Sequence, residues 1–128
     1  MFRKIRLLTF ALIMNTLPSL AQSGLVFDRP TWDFGTIRET DGPVTHRFVC
    51  RNEGEHPEVI LQVTTTCGCT TPRYTRKPIL PGEETEITVT YDPANRPGNF
   101  SRELAVFTAD RRIAAKLRIT GSVIGRPK

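Results

Sequence analysis

Apolar and polar residues alternate along this chain in short runs, with prolines and glycines between the runs. The alternation is clearest over residues 86–91, where Ile87, Val89 and Tyr91 share one face and Glu and Thr residues share the other. A period of two is typical of β-strands, because successive side chains point to opposite faces of a sheet. No stretch keeps an apolar stripe with helical spacing for three turns. The pattern therefore predicts an all-β chain.

Turn residues recur every ten or so positions, which is typical of sandwiches built from short strands. We predict strands within residues 25–27, 32–34, 44–51, 59–65, 86–91, 100–108 and 113–123, and an irregular stretch over 67–82. Within the fourth run, Val59, Leu61 and Val63 are expected to share a face. About seven antiparallel strands in a chain of this length predict an immunoglobulin-like β-sandwich.

The N-terminal segment has the order of a secretory signal peptide. Three basic residues among the first six precede an apolar stretch over 7–17, and Ser19-Leu20-Ala21 fits a small-x-small cleavage site. The apolar stretch is too short to span ~30 Å of hydrocarbon. We therefore predict a signal peptide over residues 1–21 and one sandwich domain over 22–128. The domain is expected to be exported to the periplasm or cell envelope as a soluble protein, since no cysteine stands at the cleavage point to carry a lipid anchor.

Charge argues against a nucleic-acid partner. The whole chain has 18 Lys and Arg residues against 13 Asp and Glu residues. Three of the basic residues lie in the predicted leader, so the remaining domain is nearly neutral. Its basic residues are scattered, and no aromatic residues are interleaved with them as in a nucleic-acid-binding stripe.

Four motifs resemble those of an exported bacterial family that is common in Bacteroidota. They are Asp33-Phe34-Gly35-Thr36-Ile37, Phe48…Asn52-Glu53-Gly54, Thr66-Cys67-Gly68-Cys69-Thr70 and Pro78-Ile79-Leu80-Pro81-Gly82-Glu83. Together they resemble the domain of unknown function fifteen seventy-three, and Cys-Gly-Cys-Thr followed by Pro-Gly-Glu is the most specific part. The wider pattern is distantly similar to hydin-like and major-sperm-protein-like immunoglobulin folds. The resemblance implies the sandwich fold and envelope export, and it implies no reaction.

Cys67-Gly68-Cys69 is the segment whose chemistry stands out. In an extended strand the two Cβ atoms would lie ~7 Å apart, whereas a disulfide needs ~3.8 Å. Gly68 permits the turned backbone that would bring them together. An oxidising compartment favours a disulfide in a tight turn. The alternatives are a thiol pair that binds a soft ion such as Cu(I) and a pair that exchanges disulfides. Zinc is disfavoured, because no further Cys or His pair is spaced to complete four ligands.

The third cysteine, Cys50, shares its predicted strand face with Phe48 and is expected to be a buried, inert residue. If its strand forms a hairpin with the next one through Gly54, Cys50 lies opposite about Val59, roughly 25 Å from Cys67. We therefore expect Cys67 and Cys69 to interact with each other and not with Cys50.

Three aromatic residues, Trp32, Phe34 and Tyr74, are candidates for an exposed interaction patch, with core and edge packing as the alternative. His46 lies in strand alternation and is expected to pack, and His56 belongs to an exposed turn. No arrangement of residues with catalytic spacing is found.

These observations favour a non-enzymatic interaction module without a cofactor, whose partner is another envelope protein. One rival is the thiol site at Cys67 and Cys69. Another is a structural envelope protein that assembles through an exposed sheet edge.

Overall fold

The alternating runs form eight strands and one short turn of 3-10 helix. The structure is a computed structural model that describes residues 24–127, so the predicted signal peptide lies outside the described residues. The elements are Leu25–Phe27 (β1), Thr31–Arg38 (β2), the 3-10 turn Glu39–Asp41, Val44–Asn52 (β3), Ile60–Thr65 (β4), Thr70–Arg73 (β5), Glu84–Tyr91 (β6), Gly98–Thr108 (β7) and Ile113–Ile124 (β8). None of the described segments is a helix of the length and apolarity that crossing a bilayer requires.

The strands form two four-stranded sheets, with the orders β1-β3-β6-β5 and β2-β8-β7-β4. The first order corresponds to the ABED sheet of an immunoglobulin sandwich, and β8-β7-β4 corresponds to its GFC sheet. The inner faces of both sheets supply one buried cluster of apolar side chains. The predicted immunoglobulin-like sandwich is confirmed.

One neighbouring pair differs from the expected antiparallel arrangement, because β2 runs parallel to β8. The chain changes sheets between β1 and β2, where Pro30 has no N–H to continue a ladder. A second difference is β5, which lies in the stretch expected to be irregular. It has only four residues, one of them Pro72, and is too short to show a period.

The hairpin expected between β3 and β4 is wrong. β3 pairs with β1 and β6, whereas β4 pairs with β7 in the other sheet. The connection after Gly54 therefore crosses from one sheet to the other, as the B-to-C connection of an immunoglobulin domain does. Cys50 consequently lies opposite Thr85 and not opposite Val59.

Most of the predicted inner faces are correct, and β4 is the exception. Phe48, Cys50, Ile87 and Val89 are all buried. In β4, a register shift between Ile60 and Gln62 marks a bulge, which adds a residue and reverses the alternation locally. Ile60 is therefore buried and Leu61 is 43% exposed, contrary to the expected face.

The hydroxyl group of Tyr91 gives a first testable prediction. The side chain is fully buried and its ring stacks on Phe100 at 4.0 Å. Its oxygen has no hydrogen-bond partner among the described residues. Because an unpaired buried hydroxyl opposes folding, Tyr91→Phe is expected to leave the free energy of unfolding unchanged or raise it by about 1 kcal/mol. Urea melts measure this, and a clear loss of stability would show that the hydroxyl has a partner.

Candidate functional site

The Cys67-Gly68-Cys69 segment forms a tight turn between β4 and β5, where the chain crosses between the two sheets. A disulfide joins Cys67 to Cys69, and the N–H of Thr70 donates to the carbonyl of Cys67 at 3.2 Å. The Cys69 side chain is buried, Cys67 is half-buried and Gly68 is exposed. One sulfur of the bond therefore belongs to the core while the other lies near the surface.

The surroundings of the two sulfurs decide what the pair could do. The N–H of Cys69 donates to Sγ of Cys67 at 3.2 Å, and Sγ of Cys69 lies 3.5 Å from the Thr70 hydroxyl. A backbone amide aimed at a sulfur favours its thiolate form once the bond is broken. A Cu(I) ion would need both sulfurs in the reduced state. Within residues 24–127, no group of three or more His, Cys, Asp or Glu side chains could hold a metal ion.

Cys50 is far from this turn, although the β3–β4 hairpin on which that expectation was based does not form. It faces Thr85 near the start of β6, whereas the carbonyl of Cys69 accepts a hydrogen bond from Asp92 just past the end of β6. The strand between these points spans roughly 20 Å. Burial raises the pKa of the Cys50 thiol to about 11, so the thiol stays protonated and unreactive at neutral pH.

The structure brings two of the three candidate aromatics together. Trp32 and Phe34 meet edge to face at 6.5 Å, and the Trp32 ring stacks on His46 at 4.1 Å. The two aromatic side chains are half-buried and pack against the core. They close the gap between the edge of β2 and the inner face of β3 instead of forming an open patch.

Tyr74 is not part of that cluster. It follows β5, the edge strand next to β6, whereas Trp32 packs against β3 on the other side of β6. Its ring packs partly against the core, and the Arg76 guanidinium lies 5.6 Å from the ring centre. A single patch that contains Trp32, Phe34 and Tyr74 therefore does not exist in the described residues.

The stack of Trp32 on His46 predicts a pH-dependent stability. Partial burial lowers the pKa of His46 below its usual value of 6.5, so the folded state favours the neutral ring. Unfolding then takes up a proton at low pH, and stability is lost as the pH falls below about 6.5. We expect His46→Phe to remove this loss, whereas His56→Phe keeps it. Emission from Trp32, the only tryptophan, reports the unfolding of each variant as a function of pH. Identical pH profiles of stability for the two variants would contradict the assignment of the pH dependence to His46.

Asn52, from the second of the four motifs, is a buried residue that connects two loops. Its Nδ2 donates to the carbonyls of His56 and Ile79, both at 2.8 Å, and its Oδ1 accepts the N–H of Gly54 at 2.9 Å. Its backbone also bonds to Gly82 and Glu83. The loop after β3 and the loop before β6 are thereby tied together. The only signal in the sequence was that both loops carry motif residues.

Glu39 has a similar role at the opposite end of the sandwich. Its side chain is 7% exposed, and its carboxylate accepts the N–H of Asn95 at 2.7 Å and the N–H of Arg126 at 3.2 Å. The Arg126 guanidinium lies 3.6 Å from the same carboxylate. Glu39 therefore holds the loop after β6 and the segment after β8 to the 3-10 turn. Nothing in its local sequence distinguished it from a solvated acid.

The first motif, Asp33-Phe34-Gly35-Thr36-Ile37, determines the backbone geometry of β2. The carboxylate of Asp33 accepts the N–H of Gly35 at 2.8 Å, and Gly35 has a φ of 72°. A left-handed residue at this point produces the register shift in the β2–β8 ladder. A family described as protein of unknown function (DUF1573) matches residues 25–123.

The chain belongs to the DUF1573 family. The family assignment confirms the resemblance of the four motifs. A search of the curated proteins finds no match.

Solved structures with low sequence identity share the fold. The PapD-like domain 7 (ASH domain) of human CEP192 has a TM-score of 0.70 and 7% identity, with 95% of this chain and all of that domain aligned. A protein of unknown function from Porphyromonas gingivalis W83 has a TM-score of 0.66 and 20% identity over 84% of this chain and 51% of that one. The Vibrio cholerae VesB protease has a TM-score of 0.64 and 17% identity over 77% of this chain and 32% of that one.

These likenesses establish the fold of the DUF1573 chain. It spans about half the length of the Porphyromonas gingivalis protein and about a third of the Vibrio cholerae protease. At such identities a shared sandwich carries no statement about activity, since one fold hosts many functions.

Proposed function

We propose that this DUF1573 protein is an exported, non-enzymatic interaction module of the bacterial cell envelope. The proposal rests on one observation: side chains that could serve in catalysis or ligand binding have structural roles instead. His46 stacks in the Trp32 cluster, Cys50 is buried, and Asn52 and Glu39 each hold two loops together. Because these side chains are engaged in packing and internal hydrogen bonds, we assign binding to the solvent-facing strands and loops.

The sequence supports the location. The predicted signal peptide over residues 1–21 directs export, and a disulfide such as Cys67–Cys69 persists in an oxidising compartment. A nearly neutral domain without a basic stripe fits a protein partner better than a nucleic acid. The partner of the proposal is another envelope protein.

Photo-crosslinking in the native bacterium tests the proposal. A photoreactive residue is placed singly at exposed apolar positions on different parts of the surface, namely Leu61, Leu80 and Ile124. We expect the protein in the envelope fraction and at least one position to give a discrete crosslinked product that contains a second envelope protein. A cytoplasmic location, or no product from any position after irradiation, would overturn the proposal.

A thiol function of the Cys67–Cys69 pair is the second candidate, and the partial exposure of the Cys67 side chain favours it. An incoming thiolate would attack Sγ of Cys67, form a mixed disulfide with it and release the Cys69 sulfur as a thiolate beside the Thr70 hydroxyl. Burial of Cys69 opposes that release, because desolvation disfavours the charged form. For this reason we rank the thiol function below binding.

A double substitution, Cys67→Ser with Cys69→Ser, separates the two candidates. The bond closes a loop across a single intervening residue, so it restricts little of the unfolded chain and adds little stability. We expect the free energy of unfolding in urea to change by less than about 1 kcal/mol, and any thiol exchange or Cu(I) uptake to disappear. Cys50→Val is the control, and we expect it to keep any thiol exchange and any Cu(I) uptake. Partner crosslinking that survives the double substitution would favour binding, and crosslinking that is lost would favour the thiol function.

A further inference from the structure

The four edge strands of the sandwich differ in how they are protected against pairing with another strand. An exposed edge presents free backbone N–H and C=O groups, and natural proteins protect it with short strands, prolines, bulges or charges. The edge strand β1 has three residues and is followed by Pro30, and β5 has four residues that include Pro72. In β2, the ladder is interrupted at Gly35. Three edges therefore carry a feature that protects them against pairing.

The fourth edge strand, β4, lacks these features over most of its length. No charged residue stands between Glu58 and Arg73 in the sequence, and β4 contains no proline. Its bulge lies at the beginning, and Gln62–Thr65 pairs regularly with β7. The opposite edge of this segment has no strand partner within the described residues.

An apolar surface lies beside this edge on the outer face of the same sheet. Leu61 is 43% exposed and Ile113 is 52% exposed. Phe107 pairs with Ile113 across the ladder, and it lines a shallow hollow together with Leu61, Gln62, Thr64 and Arg111. Exposed apolar side chains next to an unprotected edge are typical of an interaction site.

We infer that β4 pairs antiparallel with β4 of a second copy of this chain. The inference rests on the proposed function, since it names one contact of the interaction module. Val63 is buried and Thr64 lines the outer hollow, so strand alternation directs Thr65 inward with Val63. A two-fold axis at Thr64 then sets Val63 opposite Thr65 of the second copy, so that both cores stay on the same side of the joined sheet.

Charge favours a second copy as the occupant. In a symmetric pair the residue on the axis faces its own copy, so a charged residue there would meet a like charge, which is destabilising. β4 presents only uncharged side chains there, and the axis places one threonine opposite another, a favourable cross-strand pair. The joined sheet contains eight strands, and the two apolar surfaces flank the axis.

Sedimentation of the purified protein at a series of concentrations tests the inference. We expect a reversible dimer, and we expect Thr64→Lys to weaken dimerisation at least about tenfold because two lysines would meet at the axis. Thr36→Lys is the matched control, since Thr36 is exposed on β2, the opposite edge of the same sheet. Melting temperatures show whether each variant is folded.

A cysteine at the axis provides a second measurement. Thr64→Cys is expected to give a disulfide-linked dimer on a non-reducing gel, and Thr36→Cys is not. A wild-type protein that stays monomeric at every concentration overturns the inference, and so does a dimer that Thr64→Lys leaves unchanged. Neither result affects the proposed function, which depends on a crosslinked product with a different envelope protein.

Discussion

Replacing Asn52 with alanine is expected to lower the free energy of unfolding by about 2–4 kcal/mol. The substitution removes two hydrogen bonds to carbonyls and one from an N–H group, and the bond to Ile79 is fully buried. A buried group left without a partner costs about 1–3 kcal/mol. The cost is reduced here because the Ile79 carbonyl still accepts the N–H of Glu58 at 3.0 Å, and water can reach the groups of His56 and Gly54 in part. This places the effect among the largest expected for a single polar residue.

Two further variants separate hydrogen bonding from packing at this position. Asn52→Asp keeps the shape but replaces the donor Nδ2 with an oxygen facing two carbonyl oxygens, so we expect a loss at least as large. Asn99→Ala, at an exposed position on β7, should change stability by less than about 0.5 kcal/mol. Urea unfolding of all three measures the differences. A stable Asn52→Asp protein would show that the amide serves only to fill space.

The fold could be predicted from the sequence because its strongest signal is local. Alternation over residues 86–91 fixes the inner face of β6, and burial of Ile87 and Val89 confirms it. The pairing of strands could not be predicted in the same way, since it depends on contacts between distant segments. β3 and β4 are consecutive and look like a hairpin, yet the crossing connection between the sheets separates them.

The candidate site was predictable only where one short segment determines its chemistry. A disulfide between Cys67 and Cys69 needs only a turn within three adjacent residues. Gly68 was expected to permit that turn, but its φ is not left-handed and a Cβ there would meet nothing within 4 Å, so the turn does not require glycine. Asn52 and Glu39 could not be identified, because their partners lie on loops tens of residues away. For Trp32, Phe34 and Tyr74 the sequence could not separate an exposed patch from core packing, because exposure of an aromatic residue depends on what the other sheet places against it.

Gly121→Ala is expected to destabilise the protein by about 1–3 kcal/mol, and Gly121→Val by more. Gly121 lies directly opposite Phe100 in the β7–β8 ladder. A Cβ at this position would stand 2.6 Å from the Phe100 ring and 3.0 Å from the carbonyl oxygen of Gly35. Stacking of the ring on Tyr91 at 4.0 Å opposes its displacement away from Gly121.

A smaller residue at position 100 should relieve this clash, so a double substitution tests the contact between the two positions directly. Phe100→Leu alone is expected to lose roughly 1–2 kcal/mol, less than the 3–5 kcal/mol typical of Phe→Ala. Combined with Gly121→Ala, the total loss should fall short of the sum by about 0.5–3 kcal/mol, because the added methyl group occupies space that the ring vacates. Gly68→Ala is the control glycine, since a Cβ there would meet nothing within 4 Å. Strict additivity in urea unfolding, or a Gly121→Ala protein as stable as Gly68→Ala, would mean that β8 can shift away from Phe100.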